Sequence, residues 1–451
     1  MTTRRYDIDW LRVIAIGLLL IYHIAIGFQP WGVFIGFIQS EKSLDSLWIP
    51  MSMLNIWRIP LLFFVSGMGV SFAIRKRNWK QLLLERSRRI FLPFLFGIFF
   101  IVPVHVFLWR KYYNQDLIYS VHPGHLWFLA NIFIYVILLT PLFFFLKSKK
   151  NSRINTVLNN IFRNPLGLLL IVGTFCLETL LIKPDMYEMY AMTLHGFLLG
   201  LLAFFFGFIC VQSGNAFWHL VQKWRWLLLS VAVMLYFVRF FWFDLKAPSY
   251  IMAVESNTWI LAVFGFAYKY LNHPSNTLRY LSEAAYPVYI IHMIFLYLGA
   301  FLIFPLHIST ISKFILVVAI TGVGCFTMYE LLIRRVHFLR PLFGLRKIQT
   351  RENVTDHQKS TNKYKVHIMK KAILIISILS LFSCSCKFEM SWPYTYQSPE
   401  HIGDVLHNGS MEEVNLETRW VVDAVNEIRE GRFNEVHSFL IFKDGALVQE
   451  E

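Results

Sequence analysis

The chain has 451 residues, of which 56% are apolar, 17% aromatic and only 16% charged, with a formal net charge of +15. An ordinary soluble domain carries about a quarter of its residues as charges, so this composition excludes one and points to a bilayer. The positive excess does not indicate nucleic-acid binding, because no basic stripe lies outside the loops between apolar runs.

Runs near 11–29, 47–73, 90–108, 125–146, 165–182, 191–212, 226–243, 251–270, 284–304 and 311–333 are strongly apolar. Each approaches or exceeds the roughly 20 residues that a membrane crossing needs. They predict ten transmembrane helices, an all-α polytopic bundle. With the N-terminus in the cytoplasm, the inner loops hold Arg4, Arg5, the basic segments 75–89 and 147–153, Arg163, Lys223, Arg225, Lys269, Arg279 and the segment 334–347. The outer loops keep only Lys42, Arg110, Lys111, Lys183 and Lys246. Cytoplasmic loops are the ones enriched in Lys and Arg, so both ends of the bundle are expected inside. Cys176, Cys210 and Cys325 stand singly within spans and form neither a disulfide framework nor a metal-type spacing.

Ionisable residues inside a membrane are expensive and mark candidate sites. By position these are Arg12, His23, Arg58, His105, Glu178, His195, Arg239, Glu255, Glu283 and His292. In the first run, "DIDWLRVIAIGLLLIYHIAIGF", Arg12 and His23 are separated by three helical turns plus about 20°, which puts them on one face about 16 Å apart. Arg12 is equally explained as a side chain snorkelling to cytoplasmic headgroups, and His23 as a hydrogen-bonded bundle residue. In "WRIPLLFFVSGMGVSF", Ser66, Gly67 and Gly69 permit close helix approach. In "ERSRRIFLPFLFG", Arg86 and Arg89 share a helix face at the cytoplasmic edge. They read either as a topogenic cluster or as paired forks for phosphate. His122 and His125 flank a Pro-Gly without an evident third ligand, so no metal is expected. Tyr289 and His292 lie on one side of a later helix, where packing explains them as well as function does.

After residue 347 the composition changes. A polar linker over 348–368 precedes "MKKAILIISILSLFSCSC" at 369–386, two lysines followed by a short apolar run. This resembles a lipoprotein signal peptide and begins with its own methionine. The remainder, 387–451, carries a "KDG" turn and resembles the truncated beginning of a serine hydrolase of the β-lactamase-related type. It has no Ser-x-x-Lys nucleophile. Two joined reading frames account for this arrangement more simply than a deliberate fusion.

Five stretches occur in order: "IDWLRVIAIGLLLIYH", "IPLLFFVSG", "ERSRRIFLPFLFG", "HLWFL" and "YPVYIIH". Together, over about residues 5–345, they resemble the acyltransferase 3 family of bacterial integral-membrane O-acyltransferases. Within it, they are most similar to the glucan biosynthesis protein C branch. The resemblance implies transfer of an acyl group, acetyl or succinyl, from an acyl-CoA donor to a sugar hydroxyl of a periplasmic or surface glycan. It implies a multi-pass protein of the bacterial inner membrane that has the lipid bilayer, acyl-CoA and a glycan as partners, with no bound cofactor and no metal. It carries catalytic roles onto Arg12 and His23, and donor binding onto Arg86 and Arg89. The chemistry is compatible, since a hydroxyl needs a base to attack a thioester and histidine is suited to that task. In this reading Arg12 and His23 line a path between donor and acceptor. The rival reading is a transporter or exporter of a glycan or small metabolite. It would be expected to show internal repeats or matched broken helices, which the sequence lacks.

Overall fold

The computed structural model describes residues 4–148, 153–346, 396, 398–399, 407–429 and 438–450. The chain divides into two units, Met1–Gln349 and Thr350–Glu451. The polar linker and the signal-like segment lie outside the described residues.

The first unit is a helical bundle. Its helices are α1 (Tyr6–Ile26), α2 (Trp48–Ile74), α3 (Trp79–Tyr112), α4 (Trp127–Ser148), α5 (Arg153–Ile161) and α6 (Leu166–Ile182). They continue with α7 (Leu194–Gln212), α8 (Asn215–Trp242), α9 (Ser249–Tyr270), α10 (Asn276–Ile303), α11 (Thr310–Met328) and the short α12 (Leu339–Leu342). Leu- and Phe-rich sequences favour helix here because lipid offers no partner for backbone N–H and C=O groups, which must bond within the segment. Side chains mark several starts. Asn78 and Gln81 form a reciprocal capping box at α3, while Thr193, Ser275 and Ser309 accept from backbone N–H groups at α7, α10 and α11.

Among the described residues nine helices are long and apolar enough to cross a membrane, and α6 is a shorter apolar helix of 17 residues. It packs against the loop before it and against α9. Near its start, Gly167 packs on Phe162. Asn159, Arg163 and Pro165 share a cleft with Asn215, at the start of α8. Near its end, Cys176 meets the carbonyl of Tyr250 at the start of α9. The ends of α2 and α4 meet where Lys147 Nζ donates to the Ile74 carbonyl at 2.5 Å. Arg5, ahead of α1, stacks over Trp218 of α8 and Tyr268 of α9. The start of α1 and the segment after α11 gather at one end of the bundle, where Arg12 borders the same cavity as Arg340 and Arg346.

The most buried helix is α2. Its tightest contact is with α7, where small residues let two backbones touch. A Cβ on Gly67 would fall 1.9 Å from the Phe204 carbonyl oxygen, and one on Gly207 would fall 2.0 Å from that of Phe64. This is the close approach expected of small residues in membrane helices. α3 is widened by π-helical turns at Ser87–Phe91 and Gly97–Ile101.

The second unit, expected to be irregular, has regular structure among its described residues. β1 (His407–Asn408) pairs in parallel with β3 (Ala446–Glu450), which pairs antiparallel with β2 (Leu440–Lys443). α13 (Thr418–Arg429) adds Val421 and Val425 to a small core with Met411, Val414 and Val448. Asp444 and Gly445 both adopt positive φ, which suits a two-residue hairpin turn.

Candidate active site

Four of the buried ionisable residues in the spans are paired with one another. Arg239 of α8 holds Glu255 of α9 through two bonds of 2.7 and 3.0 Å and donates to the Ser52 carbonyl of α2. Glu178 of α6 lies 2.9 Å from Nδ1 of His195 in α7, whose Nε2 donates to the Tyr187 carbonyl. These networks tie five helices together and leave little capacity for chemistry. Two groups of residues are arranged differently.

The first lines a cavity of about 410 Å³ at the end of the bundle where α1 begins. Arg12, Arg86, Arg89, Arg340 and Arg346 all border it. Glu85 bridges Arg86 and Arg89 at 3.2 and 3.1 Å, and Glu283 holds Arg340 at 3.2 Å. The nearest carboxylate to Arg12 is Asp9, at 3.9 Å. Five guanidinium groups thus face two close carboxylates and one distant one, so the cavity is cationic. Arg86 Nη2 donates to the Gly69 carbonyl at 3.3 Å, while its buried Nε has no hydrogen-bond partner. Gly69 leaves room for Arg12, whose Nη2 would stand 3.7 Å from a Cβ placed there. Of the three small residues singled out in α2, Gly67 serves helix contact, while Ser66 and Gly69 border the cavity.

The second group closes over the far end. Tyr289 of α10 lines the cavity with Phe128, and its hydroxyl donates to the His125 carbonyl at 2.6 Å. The Tyr289 carbonyl lies 2.7 Å from His292 Nδ1, and His292 Nε2 lies 2.9 Å from His23 Nδ1. The rings of His23 and His292 lie edge to edge, near parallel, with centroids 5.2 Å apart. His125 packs against His292 at 5.1 Å, and His105 packs against His125 at 5.6 Å. Four histidines, from α1, α3, α10 and the turn just before α4, therefore meet in one cluster.

The sequence-derived site is thus brought together in two parts. Arg12, Arg86 and Arg89 share one cavity, but His23 is not among the residues lining it. Tyr289 and Phe128 stand at the cavity floor, and His23 connects to that floor through His292. Arg340, Arg346 and Tyr286 also border the cavity. Sequence reading missed them because the arginines lie in a basic segment that topology alone explains. His122, outside the spans, accepts from the Gly124 N–H at 3.1 Å, and burial holds its imidazole below the ordinary range. His125 donates instead to the Ile290 carbonyl, so the two do not converge as ligands. Arg58 is buried with its guanidinium 3.6 Å above the Tyr22 ring, and its Nε and Nη1 have no hydrogen-bond partner.

A multi-pass helical bundle that holds a cationic cavity against a histidine cluster is consistent with a membrane-embedded acyltransferase. The acyltransferase 3 family (Acyltransferase domain) matches residues 5–330, and the chain belongs to that family. No curated protein and no solved structure matches the chain.

Proposed function

We propose that the protein transfers an acyl group, acetyl or succinyl, from acyl-CoA to a hydroxyl of a periplasmic or cell-surface glycan in the bacterial inner membrane. The observation that carries this reading is the arginine cavity, which joins helix ends from throughout the bundle and ends one residue contact short of the histidines. Coenzyme A bears several phosphates, and planar arginine forks suit them. Its long pantetheine arm suits threading inward past Ser66 toward Tyr289. The basic loops favour placing the cavity on the cytoplasmic side.

In the reaction His23 removes the acceptor hydroxyl proton as the oxygen attacks the thioester carbonyl. The C–O bond forms, the C–S bond breaks, and the proton returns from His23 to the departing thiolate. Arg12 supports this chemistry from the cavity end, where its charge faces the donor. The branch resemblance to glucan biosynthesis protein C favours a glucan acceptor, and the tail after residue 347 takes no part.

The test measures transfer of radiolabelled acetyl-CoA or succinyl-CoA to a β-linked glucan oligosaccharide by purified protein in nanodiscs. General-base catalysis contributes about 10²–10⁴-fold. His23→Ala should lose activity on that scale while still binding donor. A folded His23→Ala protein within a few-fold of wild type removes His23 from the role.

A further inference from the structure

His292 is fully buried, and every hydrogen-bonding atom of its ring is assigned by geometry. Its Nδ1 lies 2.7 Å from the Tyr289 carbonyl oxygen, which can only accept, so Nδ1 carries a proton. No carboxylate pairs with the ring, and an unpaired charge is expensive at such a place, so the imidazole is neutral. Its Nε2 is then a bare acceptor. That atom lies 2.9 Å from His23 Nδ1, which must therefore donate. A neutral His23 with its proton on Nδ1 has a single lone pair, on Nε2.

We infer that His292, itself held by the Tyr289 carbonyl, is a positioning residue that fixes the tautomer of His23 and so makes Nε2 the basic atom. This inference rests on the proposal that His23 is the base. Packing reinforces the arrangement. The two rings are within 13° of parallel, and Phe37 and His125 hem them in at 5.8 and 5.1 Å. When Nε2 of His23 takes the hydroxyl proton, the resulting imidazolium keeps its Nδ1–H on His292 Nε2. The relay therefore serves both protonation states without any ring turning over. The same proton leaves from Nε2 to the thiolate sulfur, so the pair ends as it began.

Two substitutions separate this role from packing. In His292→Gln the amide oxygen can still accept from His23 Nδ1–H, whereas in His292→Leu nothing can. Transfer from radiolabelled acetyl-CoA or succinyl-CoA to a glucan oligosaccharide is measured with the full chain in nanodiscs. Unfolding temperature serves as a check on folding, and His292→Phe stands in if the leucine variant does not fold. The expected result is a kcat about 10-fold or more below wild type for His292→Leu, with both KM values within about 3-fold. His292→Gln should recover most of that loss, and His23→Gln should be inactive. Equal loss in the glutamine and leucine variants overturns the inference, as does a KM that rises with falling kcat. An inactive His292→Gln beside a working His23→Gln would make His292 the base and also overturn it. Activity of His23→Gln within a few-fold of wild type, whatever His292 does, removes instead the reading on which the inference rests.

Discussion

The two donor-binding arginines are not equivalent in the structure, and this gives a quantitative expectation. Arg86 has a side chain only 16% exposed, one guanidinium hydrogen bond, to the Gly69 carbonyl, and a buried Nε that faces Glu85 at 3.2 Å without a hydrogen bond. Arg89 is 42% exposed, with Nη1 engaged by Glu85 at 3.1 Å. A charge-assisted hydrogen bond contributes about 1.5–3 kcal/mol when water is excluded. For Arg86→Gln that is about a 10- to 150-fold loss of donor affinity. An exposed, already paired arginine contributes about 1 kcal/mol or less after screening, so Arg89→Gln should cost about 5-fold at most. The assay compares binding of acyl-CoA with that of the same acyl group on pantetheine, which lacks the nucleotide phosphates. Wild-type protein should bind the truncated donor more weakly, and Arg86→Gln should add little further loss with it. An equal loss with both donors would refute phosphate recognition by Arg86. An Arg89→Gln loss larger than that of Arg86→Gln would refute the structural ranking.

Gly207→Ala should destabilise the bundle by about 1–3 kcal/mol or more, because its methyl meets the Phe64 carbonyl, whereas Gly173→Ala, with open space around it, should be close to neutral. Thermal unfolding in detergent checks both, and equal midpoints would mean that α2 and α7 do not touch as described. Arg58→Met should raise the unfolding temperature, since replacing buried charge by apolar volume is often neutral or stabilising by about 1–4 kcal/mol. Loss of stability in that variant would show that the Tyr22 stack outweighs the cost of burial. Reporter fusions after Lys111 or Lys246 should read as external, and those after Lys80 or Lys149 as internal. The reverse pattern would place the arginine cavity away from the cytoplasm.

The apolar runs located the spans well because membrane helices are written locally, in about 20 consecutive residues. The sharing of one cavity by Arg12, Arg86 and Arg89 was also within reach, since basic residues near helix ends on one side of a bundle lie close enough to meet. The histidine cluster was not. His23 and His292 come from helices at opposite ends of the chain, and no local period links α1 to α10. The fates of Arg239 and Arg58 were equally hidden. Both are lone arginines in apolar helices, yet one meets Glu255 and the other meets only a tyrosine ring. Gly67 and Gly69 show the same limit at short range. Two residues apart, they differ in what faces them, and one serves packing while the other serves the cavity.

The shortness of α6 has a consequence for the surrounding lipid. Seventeen helical residues span about 26 Å, against a hydrocarbon core of about 30 Å, and its neighbours are longer. Lipids against α6 must therefore compress their chains, or draw headgroups inward at its ends, at a cost of a fraction of a kcal/mol per ångström. The protein should settle on that side in shorter-chain lipid and create a dimple beside the α6–α7 connection. Turnover in vesicles of graded acyl-chain length would then peak at a thickness below that of a typical membrane, making bilayer thickness a variable of the enzyme.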